Sequence, residues 1–354
     1  ANALSWRSAQ RRDEDYGTWL RARARRLTLP VVPVLLVWFA AGAVALALGV
    51  DWRTLRLAST VALVPTWFLA AYILVVAVAP ATLMAWERWR WRSLLAGALA
   101  AGLVDLVSLS TGSVAVGFAN YLLVWATVHQ LGYAWLDGEL SGVPRRTALA
   151  VAGLVGAVLL VVVGPYPVSM VGVDTATVNN TYPTRVTLLL LGMFQAGVVL
   201  LVEPLGHRLV AGAKAWAMVV ALNARIMTVY LWHVTAMVAV IGVALLAGGR
   251  GLAVEPLTAP WWLTRPVWYV VLGTVTAGLV ALLGRFETQD VDPRPAPPRW
   301  RPVIAVVGVC AGLGALAVLG IADADGLHGW LLVVPLASLA LGGVVRLPRI
   351  LRRR

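Results

Sequence analysis

Charge is scarce in this chain. Only 13% of its 354 residues are charged, where a soluble domain averages about 25%. That shortage excludes an ordinary water-soluble enzyme. Cysteine is scarcer still: Cys310 stands alone, so no intramolecular disulfide can form and the redox compartment stays unread. Acidic residues are few as well, 16 against 29 basic ones. A formal charge of +13 raises nucleic acid as a partner, but in so apolar a chain arginine collects in loops at a membrane surface. No nucleic-acid partner is expected. No cleavable secretory signal is visible in residues 1–29, which are polar and Arg-rich with no apolar segment.

What is present is hydrophobic sequence: 60% of residues, with a mean hydropathy of +0.82. Apolar runs of about 20 residues recur along the chain, each long enough to cross a hydrocarbon core of ~30 Å. Lipid leaves no backbone polar group unpaired, so the runs must be helices or a closed barrel. They are continuous rather than alternating, which selects helices. The expected fold is therefore all-α, a polytopic integral membrane bundle of about ten helices. The spans fall near 30–50, 60–82, 93–110, 113–135, 147–164, 184–204, 218–247, 266–284, 302–322 and 328–345.

Orientation follows from the basic residues. With residues 1–29 inside, 23 of the 29 fall in cytoplasmic segments, and five (Arg53, Arg56, Arg185, Arg250 and Arg265) fall outside. This asymmetry places both termini in the cytoplasm. The expected segments are a basic cytoplasmic stretch at 1–29, a membrane core at 30–286 and a Pro-rich linker at 287–301. An appended helix pair at 302–345 and a basic tail at 346–354 complete the chain. The outer segment "PYPVSMVGVDTATVNNTYPTR" (165–185, including Asp174) is long and polar, a position from which it can cap an outward-facing site. No internal repeat is visible.

Ionisable side chains at membrane depth are costly, so each is a candidate functional group, although each can also be a paired contact between helices. Asp105 lies in the third run. Asn120, His129 and Gln130 lie in the fourth. Arg225 and His233 lie in the seventh, within "RIMTVYLWHVTA" (225–236). Residues eight apart on a helix lie on one side, ~12 Å apart along the axis, so Arg225 and His233 can face one cavity at two depths. An imidazole there can take a proton from a hydroxyl. An arginine nearer the cytoplasm can hold a phosphate through two parallel hydrogen bonds. Together these residues suggest an internal polar cavity. "RARARRLTLP" (21–30) adds four arginines before the first span, either a topology anchor or a phosphate-binding patch. No metal site is expected.

Four stretches resemble acyltransferase family 3, the membrane O-acyltransferases. They are "RARRLTLP" (23–30), "WFLAAYILVVAVAP" (67–80), "NYLLVWATVHQLGYAWLDG" (120–138) and "MTVYLWHV" (227–234). The likeness runs from residue 1 to about 286 and is closest to the actinobacterial branch. It implies transfer of an acyl group, usually acetyl, from cytoplasmic acyl-CoA to a hydroxyl of a cell-surface glycan, a lipid or a small molecule. It also implies a multi-pass protein of the plasma membrane with no permanently bound cofactor. The family's Arg-x-x-Arg pair, thought to hold the CoA phosphates, maps to Arg23 and Arg26, and Arg225 is a further candidate for donor phosphates. The family's catalytic histidine lies in a first helix that this sequence does not contain. Two helices are absent relative to the family pattern, and the catalytic residue is left unassigned. His233, His129 and Asp105 are the remaining candidates, and His233 is expected to line the cavity rather than to carry the proton. Two other readings stay open: a non-catalytic relative or membrane scaffold, and a transporter of glycan or lipid intermediates, for which repeat symmetry would be expected.

Overall fold

The computed structural model describes residues 2–170, 178–249, 251–287 and 298–345. Parts of three expected segments lie outside them: Asp174 with its neighbours in the outer segment, most of the 287–301 linker, and the 346–354 tail. The helices are α1 (Asn2–Arg11), α2 (Tyr16–Thr28), α3 (Val31–Ala47), α4 (Trp52–Trp89), α5 (Trp91–Thr111), α6 (Val114–Gly117) and α7 (Asn120–Leu136). They continue as α8 (Val143–Val163), α9 (Val186–Leu209), α10 (Ala213–Ala224), α11 (Ile226–Leu246), α12 (Ala259–Leu283), α13 (Trp300–Leu319) and α14 (Gly329–Leu341). A 3-10 turn, Gly284–Phe286, follows α12, and two short strands, β1 (Ala322–Asp323) and β2 (Gly326–Leu327), form a hairpin between α13 and α14.

Among the described residues, eight helices are long and apolar enough to cross a membrane, and nine if the bent pair α2–α3 counts as one span. Each of the eight falls on an expected span. The other two expected spans coincide with α3, of 17 residues, and α14, of 13. Pro30 separates α2 from α3, which meet at 41°. Proline lacks the amide that would continue the ladder from α2. The run 218–247 is not one helix, as the sequence suggested, but breaks at Arg225. α4 is longer than its run, because Arg53 and Arg56 at one end and Glu87 and Arg88 at the other are helical too.

The chain divides into two compact units. Unit 1 is Ala1–Arg11 with Leu74–Ala217, and unit 2 is Arg12–Ile73 with Met218–Arg354. In unit 1, α8 and α9 lie backbone to backbone. A Cβ on Gly153 would sit 2.6 Å from the Leu190 carbonyl oxygen, and one on Gly197 would sit 2.6 Å from the Ala150 amide. Small residues permit this approach where apolar burial cannot drive helices together. Trp86, Leu131, Tyr133 and Leu149 form the centre of an apolar cluster that Ala3 of α1 joins.

In unit 2, α11 packs on α12 and α3, and α13 on α14 and α2. The pair within 302–345, expected as an addition to the core, is joined to α4 by three hydrogen bonds. Thr66 Oγ1 donates to Leu313 O (3.2 Å), Cys310 Sγ to Ala70 O (3.2 Å), and the Ile321 amide to Ser59 Oγ (3.2 Å). Glycine brings α13 and α14 close: a Cβ on Gly312 would lie 2.5 Å from Pro335 Cγ, and Gly308 faces Ser338 just as tightly.

Candidate functional site

Asp105 is buried in unit 1, and both its oxygens are engaged. Oδ1 accepts from Asn120 Nδ2 (2.8 Å) and Arg185 Nη1 (3.3 Å), and Oδ2 from the Val186 amide (2.7 Å) and the Tyr166 hydroxyl (3.1 Å). Val186 opens α9, whose first amides have no intrahelical partner, so the carboxylate of α5 caps α9. Arg185 also donates to Ser108 Oγ (3.0 Å). Asn180 fastens the outer segment through Pro167 O and Ser169 O, while its own Oδ1 accepts from Thr187 Oγ1. Burial, with the charge of Asp105 beside it, pushes the Tyr166 hydroxyl above its ordinary pKa. The geometry gives Asp105 the work of a clamp between α5, α7, α9 and the outer segment.

His129, also in unit 1, shares no hydrogen-bond partner with Asp105. Its Nε2 accepts from Asn2 Nδ2 (3.1 Å), and its ring stands edge-on to Tyr133 at 5.0 Å. An amide nitrogen only donates, so in the neutral ring the proton sits on Nδ1. Nδ1 is buried and has no partner among the described residues. With its lone pair committed to Asn2, this imidazole is not poised to take a proton. Gln130 accepts from Ser93 Oγ at 2.8 Å and ties α7 to α5.

At the Arg-rich end of unit 1, Asp137 gathers three donors: Arg7 Nη1 (3.1 Å), Arg90 Nη1 (2.8 Å) and Trp86 Nε1 (2.9 Å). Arg7 also holds Glu87, at 2.9 Å. Burial opposes ionisation of Asp137, but the hydrogen bonds from Arg7 and Trp86 and the neighbouring positive charges outweigh it, so its carboxyl lies below the usual range. The hydrogen bond that Arg7 donates to Asp137, with the carboxylate's charge, raises the Arg7 guanidinium.

The remaining candidates lie in unit 2. Arg225 is the N-cap of α11 with φ −123° and ψ 13° and makes no side-chain cap. The cap comes from Glu287. Its carboxylate accepts from the amides of Met227 (3.1 Å) and Thr228 (2.9 Å) and from the Thr228 hydroxyl (2.7 Å). In an unbroken 218–247 helix those amides would bond the carbonyls of Asn223 and Ala224. A buried carboxylate on them ends that ladder and turns Arg225 outward. The guanidinium stem lies over Gly284, where a Cβ would come within 2.8 Å of Arg225 Cδ. Among the described residues, no hydrogen bond or ion pair holds Arg225. Its charge is exposed and, among those residues, has no counter-ion.

His233 is exposed on α11, eight positions after Arg225. Its Nδ1 lies 2.7 Å from the Tyr230 carbonyl. A carbonyl only accepts, so Nδ1 carries the proton and Nε2 the lone pair. Tyr230 is fixed in turn: its hydroxyl donates to Pro65 O (3.2 Å) and its ring packs on Phe68 (5.6 Å). Trp38 Nε1 donates to Thr235 Oγ1 (3.1 Å), which ties α11 to α3. Arg23 is half-buried and Arg26 exposed on α2, and α2 and α11 both pack on α3.

Sequence reasoning missed Glu287 and Asn2 as partners of site residues. Glu287 read as the first residue of a polar linker, and no local signal marks it as the cap of a helix-opening amide 60 positions earlier. Arg185 read as a loop charge, although it stands directly before an apolar run that begins as a helix.

Among the described residues, eight apolar helices with polar clusters buried between them define an integral membrane protein. Residues 3–286 match the family of acyltransferase family 3, described as an acyltransferase domain. The chain belongs to that family and is a membrane acyltransferase in general type. Searches of curated proteins and of solved structures returned no match.

Proposed function

We propose that the protein transfers an acyl group, most simply acetyl, from cytoplasmic acyl-CoA to a hydroxyl on a glycan, a lipid or a small molecule of the cell envelope, working from the plasma membrane. The observation that carries this reading is the family match over residues 3–286. Within unit 2, Arg225 supports it: it is exposed, and no described residue pairs with it. A guanidinium in that state suits a phosphate, which it can grip through two parallel hydrogen bonds. Arg23 and Arg26 on α2 are the further donor-binding candidates, from the Arg-x-x-Arg likeness.

His233 is the base candidate that the geometry favours over His129, because its Nε2 lone pair is open and its ring is oriented by Tyr230. In the reaction, the acceptor hydroxyl gives its proton to the base as its oxygen attacks the thioester carbonyl. The C–S bond then breaks, and the CoA sulfur leaves and takes up a proton. Much of the acceleration would come from holding the two substrates in line.

The test is equilibrium binding of acetyl-CoA and of free CoA to the purified protein in lipid nanodiscs. Arg225→Ala and the pair Arg23→Ala/Arg26→Ala are each expected to weaken both ligands by about tenfold or more, the scale of a lost charge-assisted phosphate contact. Binding unchanged by either variant refutes the donor assignment. The absence of any CoA binding by the unaltered chain would favour a non-catalytic relative instead.

A further inference from the structure

Unit 1 contains a groove of about 540 Å³ between α7 and α9 that no step above uses. Its size falls within the ~300–1,000 Å³ of ordinary ligand sites. One wall is a single helical face of α7, with Val128, Leu131, Gly132 and Trp135 at i, i+3, i+4 and i+7. The other is the face of α9 that carries Val199, Glu203 and His207. Trp216 of α10 closes one side.

The lining is apolar except at the Arg-rich end, where Glu203 and His207 stand. Glu203 is already matched, at 2.9 Å from Arg146 Nη2 and 3.8 Å from His207 Nε2. Arg146 is locked in place by donating to Leu140 O (3.0 Å) and to Leu200 O. Arg208, next to His207 in the chain, and Lys214, two positions before Trp216, are exposed outside the lining itself, and with Glu203 already matched they give this end a positive surplus. Space lies open at Gly132 and Gly206, where an added Cβ would meet nothing within 4 Å.

We propose that this groove binds an anionic phospholipid of the cytoplasmic leaflet. One acyl chain lies along Val128, Leu131, Gly132 and Val199, and the phosphate rests by Arg208 and Lys214. An apolar slot that ends in surplus positive charge, on the side where basic residues concentrate, matches the two halves of such a lipid. A zwitterionic lipid would match only the slot. The inference rests on unit 1 alone and stands or falls separately from the acyl-CoA reading.

Native mass spectrometry and lipid extraction on protein purified in mild detergent test it. The unaltered chain is expected to retain about one anionic phospholipid per molecule, enriched over the bulk membrane. Gly132→Phe fills the slot and replaces a poor helix former, and should lower retention about fivefold or more, because a packed slot does not readmit a chain. Gly132→Ala should leave retention unchanged. Gly206→Phe, on the opposite wall, repeats the test if Gly132→Phe fails to fold. Arg208→Gln/Lys214→Gln should keep the lipid stoichiometry but remove the preference for anionic headgroups. Full retention in both phenylalanine variants overturns the proposal, as does a long-chain acyl-CoA, rather than a phospholipid, in the groove.

Discussion

Asp105→Ala is the sharpest perturbation of unit 1. The carboxylate accepts four hydrogen bonds, from Asn120, Arg185, Tyr166 and the Val186 amide. The side chains of Arg185 and Asp105 are 7% and 1% exposed, so little solvent screens the pair. Removing one partner of a buried ion pair costs about 3–5 kcal/mol, because the other charge stays buried and uncompensated. In a cooperative unit of roughly 150–250 residues each kcal/mol shifts Tm by about 2–4 °C, so the apparent Tm should fall by about 6–20 °C. Tryptophan-fluorescence melts in detergent measure this directly. The double variant Asp105→Ala/Arg185→Met should recover part of the loss, since the stranded cation is gone. Asp105→Asn should fall between, because an amide cannot accept at both ends. A melt for Asp105→Ala within about 1 °C of the unaltered protein would refute the clamp. A double variant that loses the sum of the two single losses would refute the coupling.

Glu287→Ala should expose the start of α11, at a cost of about 1–2 kcal/mol, typical of a lost helix cap. Hydrogen exchange at Met227 and Thr228 should accelerate while the middle of α11 stays protected, and unchanged exchange would count against the cap. Asp137 sets a pH dependence. Its carboxyl is lower in the folded protein than in the unfolded chain, so its stabilisation is complete above the usual carboxylate range and is lost as pH falls through the depressed value. Melts between about pH 7 and pH 3 should therefore decline less steeply in Asp137→Asn than in the unaltered chain, and parallel curves would contradict this. In an acyl-transfer assay His233→Ala should lower kcat by about 10²-fold or more, the scale of a general base, with His129→Ala near wild type. The reverse order would move the base to unit 1.

Helices were legible because apolar runs of this length have one solution in lipid, and every expected span falls on helical chain, although 218–247 is divided between α10 and α11. Helix breaks were not. Arg225 sits inside a run that hydrophobicity reads as continuous, and the break depends on Glu287, which lies 60 positions beyond the Met227 amide that it caps. Asp105 and His129 were legible as costly polar groups at membrane depth. Their partners were not, since Tyr166, Arg185 and Asn2 are brought to them by folding alone. Tautomer carried the rest of the site. Sequence places two histidines in apolar helices, and only the Tyr230 carbonyl beside one and the Asn2 amide beside the other distinguish an open lone pair from a spent one.

The close seam between α13 and α14 bears on how the chain is built during synthesis. At 13 residues, α14 is ~20 Å long, short of the ~30 Å that a lone segment must cover. It is a poor client for the insertion machinery by itself. With Gly308 and Gly312 of α13 set against Ser338 and Pro335, the two can leave the translocon together as one helical hairpin. α14 would then be retained in the bilayer by its neighbour rather than by its own hydrophobic length, and lengthening side chains along that seam would appear first as a fault of topology rather than of catalysis.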